Sequence, residues 1–209
     1  MIIYDFFAGT GSSTKAFEDA GHTVISFELD KQFEATDHRD IQTLNAMELV
    51  SLYGQPDFIW ASPPCQKFSV ASCSKYWHPD GTPRDGQAAE ALALVEHTIN
   101  LIKELNPTFG FLIENPRGML RKQKLMEQLQ RHTVTYCQYG DTRMKPTDLW
   151  GYVKDWTPRT ACKNGEGCHQ SAPRGSRTGT QGLKGAKDRS MIPYELGEEI
   201  CKLIERHAV

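Results

Sequence analysis

The tripeptide Pro63-Pro64-Cys65 closes an apolar run, and Glu114-Asn115-Pro116 stands further along the chain. A thiol able to ionise and a carboxyl able to carry a proton are the two groups that covalent catalysis through sulfur requires. The run Asp57-Phe58-Ile59-Trp60-Ala61-Ser62 reads as a short buried strand, which the prolines must end because they cannot donate to a sheet ladder. Cys65 then sits on a stiff loop at a strand's C-terminal end, the edge at which open α/β sheets bind ligands. A lone cysteine more often packs as a small hydrophobe. Here the flanking motifs argue for reactivity instead.

Ahead of that loop, Tyr4-Asp5-Phe6-Phe7-Ala8-Gly9-Thr10-Gly11-Ser12 is a strand running into a glycine turn and then a helix-like segment from Ser13 to Ala20. Glycines let a ligand approach the backbone, and the unpaired N–H groups of a helix start suit a phosphate or the carboxylate of an amino-acid-like cofactor. The turn lacks the Lys-Ser/Thr of a P-loop and the third glycine of the dinucleotide fingerprint, which disfavours phosphate. The next strand, Thr23 to Phe27, ends in Glu28, placed to accept ribose hydroxyls. Asp40 follows a short extended stretch and is placed for an adenine amino group. Taken singly, either acid reads equally well as a solvated charge.

Together these motifs resemble the cytosine-C5 methyltransferases that use S-adenosyl-L-methionine. Phe6-Phe7-Ala8-Gly9-Thr10-Gly11 is similar to that family's first motif, Pro63-Pro64-Cys65-Gln66-Lys67-Phe68-Ser69 to its nucleophile motif and Glu114-Asn115-Pro116-Arg117-Gly118 to its glutamate motif. Tyr139-Gly140-Asp141-Thr142-Arg143-Met144-Lys145 resembles the Tyr-Gly motif and the Gln-x-Arg-x-Arg that follows, without the glutamine and with Lys145 for the last arginine. The resemblance covers residues 1–150. It implies Cys65 as nucleophile, Glu114 as proton partner, and Arg143 and Lys145 as further catalytic contacts. It also implies a cofactor site of Phe6, Ala8, Gly9, Gly11, Ser12, Glu28, Leu29, Asp40, Ile41 and Pro63, with Gln66, Ser69 and Asn115 toward the substrate. In this chemistry the thiolate adds to carbon 6 of cytosine and so makes carbon 5 nucleophilic, with no metal required. A base within a duplex must first be flipped out, at a cost of about a few kcal/mol.

The elements that must position these groups follow from pattern. Strands are expected near 2–7, 23–28, 57–61, 108–114, 133–138 and 148–153, alternating with helices as in a Rossmann-like α/β fold with a mostly parallel sheet. Ala89, Leu92, Val95, Ile99, Ile102 and Leu105 recur at helical spacing up to Asn106-Pro107, and Leu120, Leu125, Met126 and Leu129 suggest a shorter helix. The unperiodic segment 66–86 reads as a lid over the substrate, in which Tyr76-Trp77 either stack on bases or shield the loop's own core. A closing helix is expected from Pro193 to His207.

The chain divides into a catalytic domain over 1–150, a short loop-rich recognition region over 151–190 and a C-terminal helical segment over 191–209 that packs back onto the catalytic domain. With 209 residues it suits one α/β domain, and its net charge of −2 is no global nucleic-acid signature. The charge is uneven, however: residues 1–142 hold 12 Lys/Arg against 18 Asp/Glu, and 143–189 hold ten against four. A basic face after the catalytic half suits DNA, the favoured partner, with Arg174 and Arg177 along the phosphate backbone. A plain linker is the other reading of that stretch. The short recognition region leaves open RNA or free cytosine nucleotides as substrate, or a cofactor-binding module without turnover. Cys162, Cys168 and His169 are candidate ligands for a small zinc staple, with no fourth ligand evident. The six cysteines show no secreted disulfide pattern, and no leader or membrane-length apolar span is visible, so a reducing cytoplasm is expected. Nothing in the sequence sets an oligomeric state.

Overall fold

The computed structural model describes residues 1–70, 72–171 and 185–208. Six strands form one sheet: β1 (Ile2–Phe6), β2 (Thr23–Phe27), β3 (Phe58–Ala61), β4 (Gly110–Pro116), β5 (Arg131–Thr135) and β6 (Pro146–Val153). Their order is β2-β1-β3-β4-β6-β5. The joins from β2 to β4 are parallel, and β6 runs antiparallel to both β4 and β5. Parallel strands need cover on both faces, so their sequences are apolar at consecutive positions and successive side chains serve opposite cores. Ile3, Phe58, Trp60, Leu112 and Leu149 enter one core; Tyr4, Ile59, Ala61, Ile113 and Trp150 enter the other.

The helices are α1 (Lys15–Asp19), α2 (Ala46–Tyr53), α3 (Cys73–Tyr76), α4 (Gly86–Leu105), α5 (Ala186–Ser190) and α6 (Tyr194–His207). Helix α4 starts where the Asp85 carboxylate accepts from Ala88 N at 3.0 Å, and it ends at Asn106, left-handed with φ of 44°. Ala89, expected in its buried stripe, is exposed, and Ala88 is buried instead. Two helical turns back from Val95 the core-facing position is 88. Helix α6 covers the other face with Leu196, Gly197, Ile200, Cys201 and Ile204. A Cβ on Gly197 would lie 2.9 Å from the Ser13 carbonyl oxygen, so α6 lies close against the turn that leads into α1.

Two further expectations change, and one open alternative is decided. The short helix after Gly118 is a pair of 3₁₀ turns, Met119–Lys122 and Lys124–Met126, separated by Gln123 in an extended conformation. Its amide reaches across to the Gly81 carbonyl at 3.2 Å. The strand expected through 138 stops at Thr135, and Tyr136–Tyr139 form a 3₁₀ turn. In the segment after Cys65, Trp77 is buried, stacks on Phe68 with ring centroids 5.5 Å apart and donates to the Lys67 carbonyl at 2.7 Å. Trp77 is therefore the loop's own core and is not free to stack on a base. Among the described residues, no helix is long and apolar enough to cross a membrane.

Candidate active site

The prolines end β3, and the chain turns so that the Cys65 carbonyl accepts from Phe68 N at 3.0 Å and Ser69 N at 2.9 Å. Strand β4 lies beside β3 with Ala61 opposite Ile113, so Glu114 and Asn115 project at the same sheet edge as Cys65. Asn115 Nδ2 donates to the Pro63 carbonyl at 2.9 Å and fastens the two strand ends together. Glu114 is buried, and its Oε1 accepts from the Tyr136 hydroxyl at 2.8 Å. Burial pushes the Glu114 carboxyl up from its usual range, against the pull of Lys145 and the Tyr136 hydrogen bond. Burial also pushes the Cys65 thiol up, Glu114 adds to this, and Lys145 opposes it. Lys145 is itself held down by burial and drawn up by Glu114. The three groups form one electrostatic unit: a thiol, a buried carboxyl fit to carry a proton, and a cation that draws each toward its charged form.

Arg143 and Lys145 are not placed as open base or phosphate contacts. Arg143 is buried, pairs with the Asp141 carboxylate through Nε at 2.9 Å and donates through Nη1 to the Asp188 carbonyl at 2.9 Å. Lys145 has a left-handed φ of 28°, sits 4.5 Å from the Tyr136 ring centroid and donates to the Arg189 carbonyl at 2.9 Å. Both therefore fasten the 188–191 backbone to the site. Ile192 N continues the tie by donating to Ser12 Oγ at 3.0 Å. Motif spacing places these cations at the site but carries no sign of the carbonyls that occupy them.

The glycine turn has Phe7, Gly9 and Gly11 all left-handed, with φ of 62°, 52° and 70°. A Cβ at Gly9 or Gly11 would meet no atom within 4 Å, so the turn borders open space. Glu28 braces it, accepting from Gly9 N at 2.9 Å and from Asp30 N at 2.9 Å. Ala8 N donates to the Phe27 carbonyl at 3.0 Å, and Leu29 is 61% exposed beside Glu28. Two expected ligand contacts belong to the core instead. Phe6 is fully buried, 5.1 Å from the Phe27 ring and 6.1 Å from Tyr4, and the Ile41 side chain is buried as well. Phe7, half-buried at the strand's exit, is the aromatic that borders the turn. Phe6 is the last residue of β1 and packs with Tyr4, whereas Phe7 has left the strand at a left-handed φ.

Asp40 starts a 3₁₀ turn by accepting from Gln42 N at 3.0 Å. Gln66 is exposed and, with Pro63, Pro64, Gln42 and Leu94, lines a cleft of about 360 Å³ against α4. Ser69 Oγ lies 2.9 Å from Ser72 Oγ, within the loop. Asp5 escaped the sequence reading. It is buried beneath the turn, Oδ2 accepts from Ser13 Oγ and Thr14 Oγ1 at 2.7 Å each, and burial pushes its carboxyl up to about 7. Arg174 and Arg177 lie outside the described residues. Cys162, Cys168 and His169 do come together, joined by Cys137.

The family model for C-5 cytosine-specific DNA methylase matches residues 1–136. A protein of frog virus 3 (isolate Goorha) named as a DNA (cytosine-5)-methyltransferase is 28% identical over 176 residues, covering 80% of this chain and 78% of its own. The type II methyltransferase M.AplI of Arthrospira platensis is 31% identical over 140 residues, 63% of this chain and 37% of that protein. In fold, the chain is similar to a prophage-encoded E. coli protein named as a DNA modification methyltransferase, with a TM-score of 0.54 at 20% identity over 78% of this chain and 52% of that one. The chain thus spans about half of that structure and little more than a third of the Arthrospira enzyme.

Proposed function

The chain belongs to the C-5 cytosine-specific DNA methylase family, an S-adenosylmethionine-dependent class of cytosine-C5 methyltransferases, and from that premise we propose that it methylates cytosine in DNA through a covalent bond to Cys65. The observation that carries this reading is the electrostatic unit of Cys65, Glu114 and Lys145 at the adjoining ends of β3 and β4. We assign the catalytic machinery and cofactor site to 1–150, DNA contacts to 151–190 and a closing role to 191–209.

The glycine turn fits S-adenosylmethionine. Gly9 and Gly11 leave room for its methionine end, and Glu28 retains free lone pairs for ribose hydroxyls, since each carboxylate oxygen accepts more than one hydrogen bond. Leu29 offers exposed apolar surface next to that acid. When bound, the cofactor supplies an electrophilic methyl group.

The protein's own residues do the rest. Cys65 Sγ adds to carbon 6 of a flipped cytosine, and the Glu114 carboxyl places its proton on ring nitrogen 3, so that electron density collects at carbon 5. Lys145 favours the thiolate that attacks, and Tyr136 holds the Glu114 carboxyl in place. After carbon 5 is methylated, ring nitrogen 3 returns its proton to Glu114, and loss of the carbon 5 proton to water expels the Cys65 thiolate and restores the ring. Incubation with methyl-labelled cofactor and, in parallel, DNA, RNA and cytidine nucleotides tests the proposal. Label in DNA, lost in Cys65→Ser, is the expected outcome; label confined to RNA or to nucleotides would overturn the substrate assignment.

A further inference from the structure

Away from the active site, Cys137, Cys162, Cys168 and His169 bring three Sγ atoms and one imidazole nitrogen within 4.8 Å of one another. We propose that they form a structural zinc site that straps the loop after β6 onto the 3₁₀ turn Tyr136–Tyr139. Cys162 Sγ lies 3.3 Å from Cys168 Sγ and 3.3 Å from His169 Nδ1, while Cys168 Sγ lies 3.8 Å from Cys137 Sγ and 3.6 Å from His169 Nδ1. A tetrahedral zinc with Zn–S near 2.3 Å and Zn–N near 2.0–2.1 Å has edges of about 3.8 Å between sulfurs and about 3.5 Å between sulfur and nitrogen. The Cys137–Cys168 separation of 3.8 Å and the sulfur–nitrogen separations of 3.3 and 3.6 Å lie close to those edges, and the Cys162–Cys168 separation of 3.3 Å is shorter by about 0.5 Å. They are far too long for a disulfide, whose sulfurs lie about 2.05 Å apart, and all four residues present soft or borderline donors that favour zinc over magnesium or calcium.

The surroundings are built to hold the ligands. Cys162 N donates to Thr135 Oγ1 at 2.9 Å, and Gln138 Nε2 donates to Cys168 Sγ at 3.5 Å as an outer contact. Arg159 draws the same loop down, donating to the Gln138 carbonyl at 2.6 Å and pairing with Glu195 at 2.7 Å and Glu199 at 2.8 Å. Four protein ligands leave no open position, so the site is structural and not hydrolytic. Its consequence reaches the chemistry through one peptide bond: Cys137 follows Tyr136, whose hydroxyl holds Glu114. Metal binding here fixes both the loop and the turn that orients that carboxyl.

Untagged full-length protein, purified with reductant and without chelator, should contain about one zinc per chain by inductively coupled plasma mass spectrometry. Cys162→Ser and His169→Ala should lose most of that zinc, and Cys73→Ser, outside the cluster, should keep it. Cobalt(II) reconstitution should give thiolate-to-cobalt charge-transfer bands and intense tetrahedral d–d bands in the wild type and not in Cys137→Ser. Because that variant removes a buried group, Cys168→Ser, altered in the exposed loop, serves as a second case. Chelation should lower the melting midpoint of the wild type and leave that of Cys162→Ser unchanged. Metal-free wild-type protein after zinc addition, iron in place of zinc, zinc retained in both loop variants, or a Cys162–Cys168 disulfide in the reduced preparation would overturn the proposal.

Discussion

Lys145 is the group on which the charge of the active site turns. It favours the thiolate of Cys65 and the carboxylate of Glu114 against the burial that disfavours both. Removing the cation must therefore raise the thiol further. Lys145→Met should shift the midpoint of the pH profile for Cys65 alkylation by iodoacetamide to higher pH, because the cation that opposes the burial of the thiol is gone. An unchanged midpoint, read by peptide mass spectrometry, would show that the thiol does not sense Lys145. Asp5 offers a second test, on stability. Its folded carboxyl is raised to about 7 from an ordinary 3.8, so the folded state holds an extra proton between those values. The stabilisation is fully present below the unfolded pKa and is lost as pH rises through the folded one. Ligand-free protein should accordingly lose melting temperature from pH 4.5 to 8, and Asp5→Asn should flatten that part of the profile. Parallel profiles would refute it.

At the scale of elements, the nucleophile loop and the end of β4 are fastened backbone to backbone. Met119 N donates to the Phe68 carbonyl at 2.7 Å, and a Cβ on Gly118 would collide with that same oxygen. Gly118→Ala should therefore destabilise the fold by roughly 1–3 kcal/mol and cut methyl transfer more than cofactor affinity, as measured by denaturant unfolding, turnover and calorimetry. An unaffected variant would mean that the loop yields freely. Strands β1, β3 and β4 were legible because short apolar runs lead into glycines or prolines, and Asn106-Pro107 marked the end of α4 correctly. Periodicity failed at Leu120 to Leu129, where few apolar positions cannot separate 3₁₀ turns from one helix and Gln123 spends its side chain on a distant carbonyl. The motif at Phe6-Phe7 names the aromatic pair, and where the strand ends, at Phe6, decides which ring is fully buried. Cys137 went unseen as a ligand partner of Cys162 because the two are joined by tertiary folding and by no local spacing.

Across the whole molecule, the chain returns on itself to complete the site it began. The segment from Asp188 to Ile192 runs from the carbonyls held by Arg143 and Lys145 to the hydroxyl of Ser12, and α6 then seals the face beside α1. The glycine turn and the Arg143–Lys145 stretch are thus joined through the C-terminal segment, although the two lie far apart in sequence. On the proposed mechanism, Cys65 attacks carbon 6 of cytosine in DNA. DNA carrying 5-fluorocytosine tests it most directly, because fluorine at carbon 5 blocks the final elimination and leaves the protein attached. With S-adenosylmethionine present, peptide mapping should find the adduct on Cys65 and find none in Cys65→Ser; an adduct on Cys73 or Cys137, or no adduct beside active methyl transfer, would contradict the account.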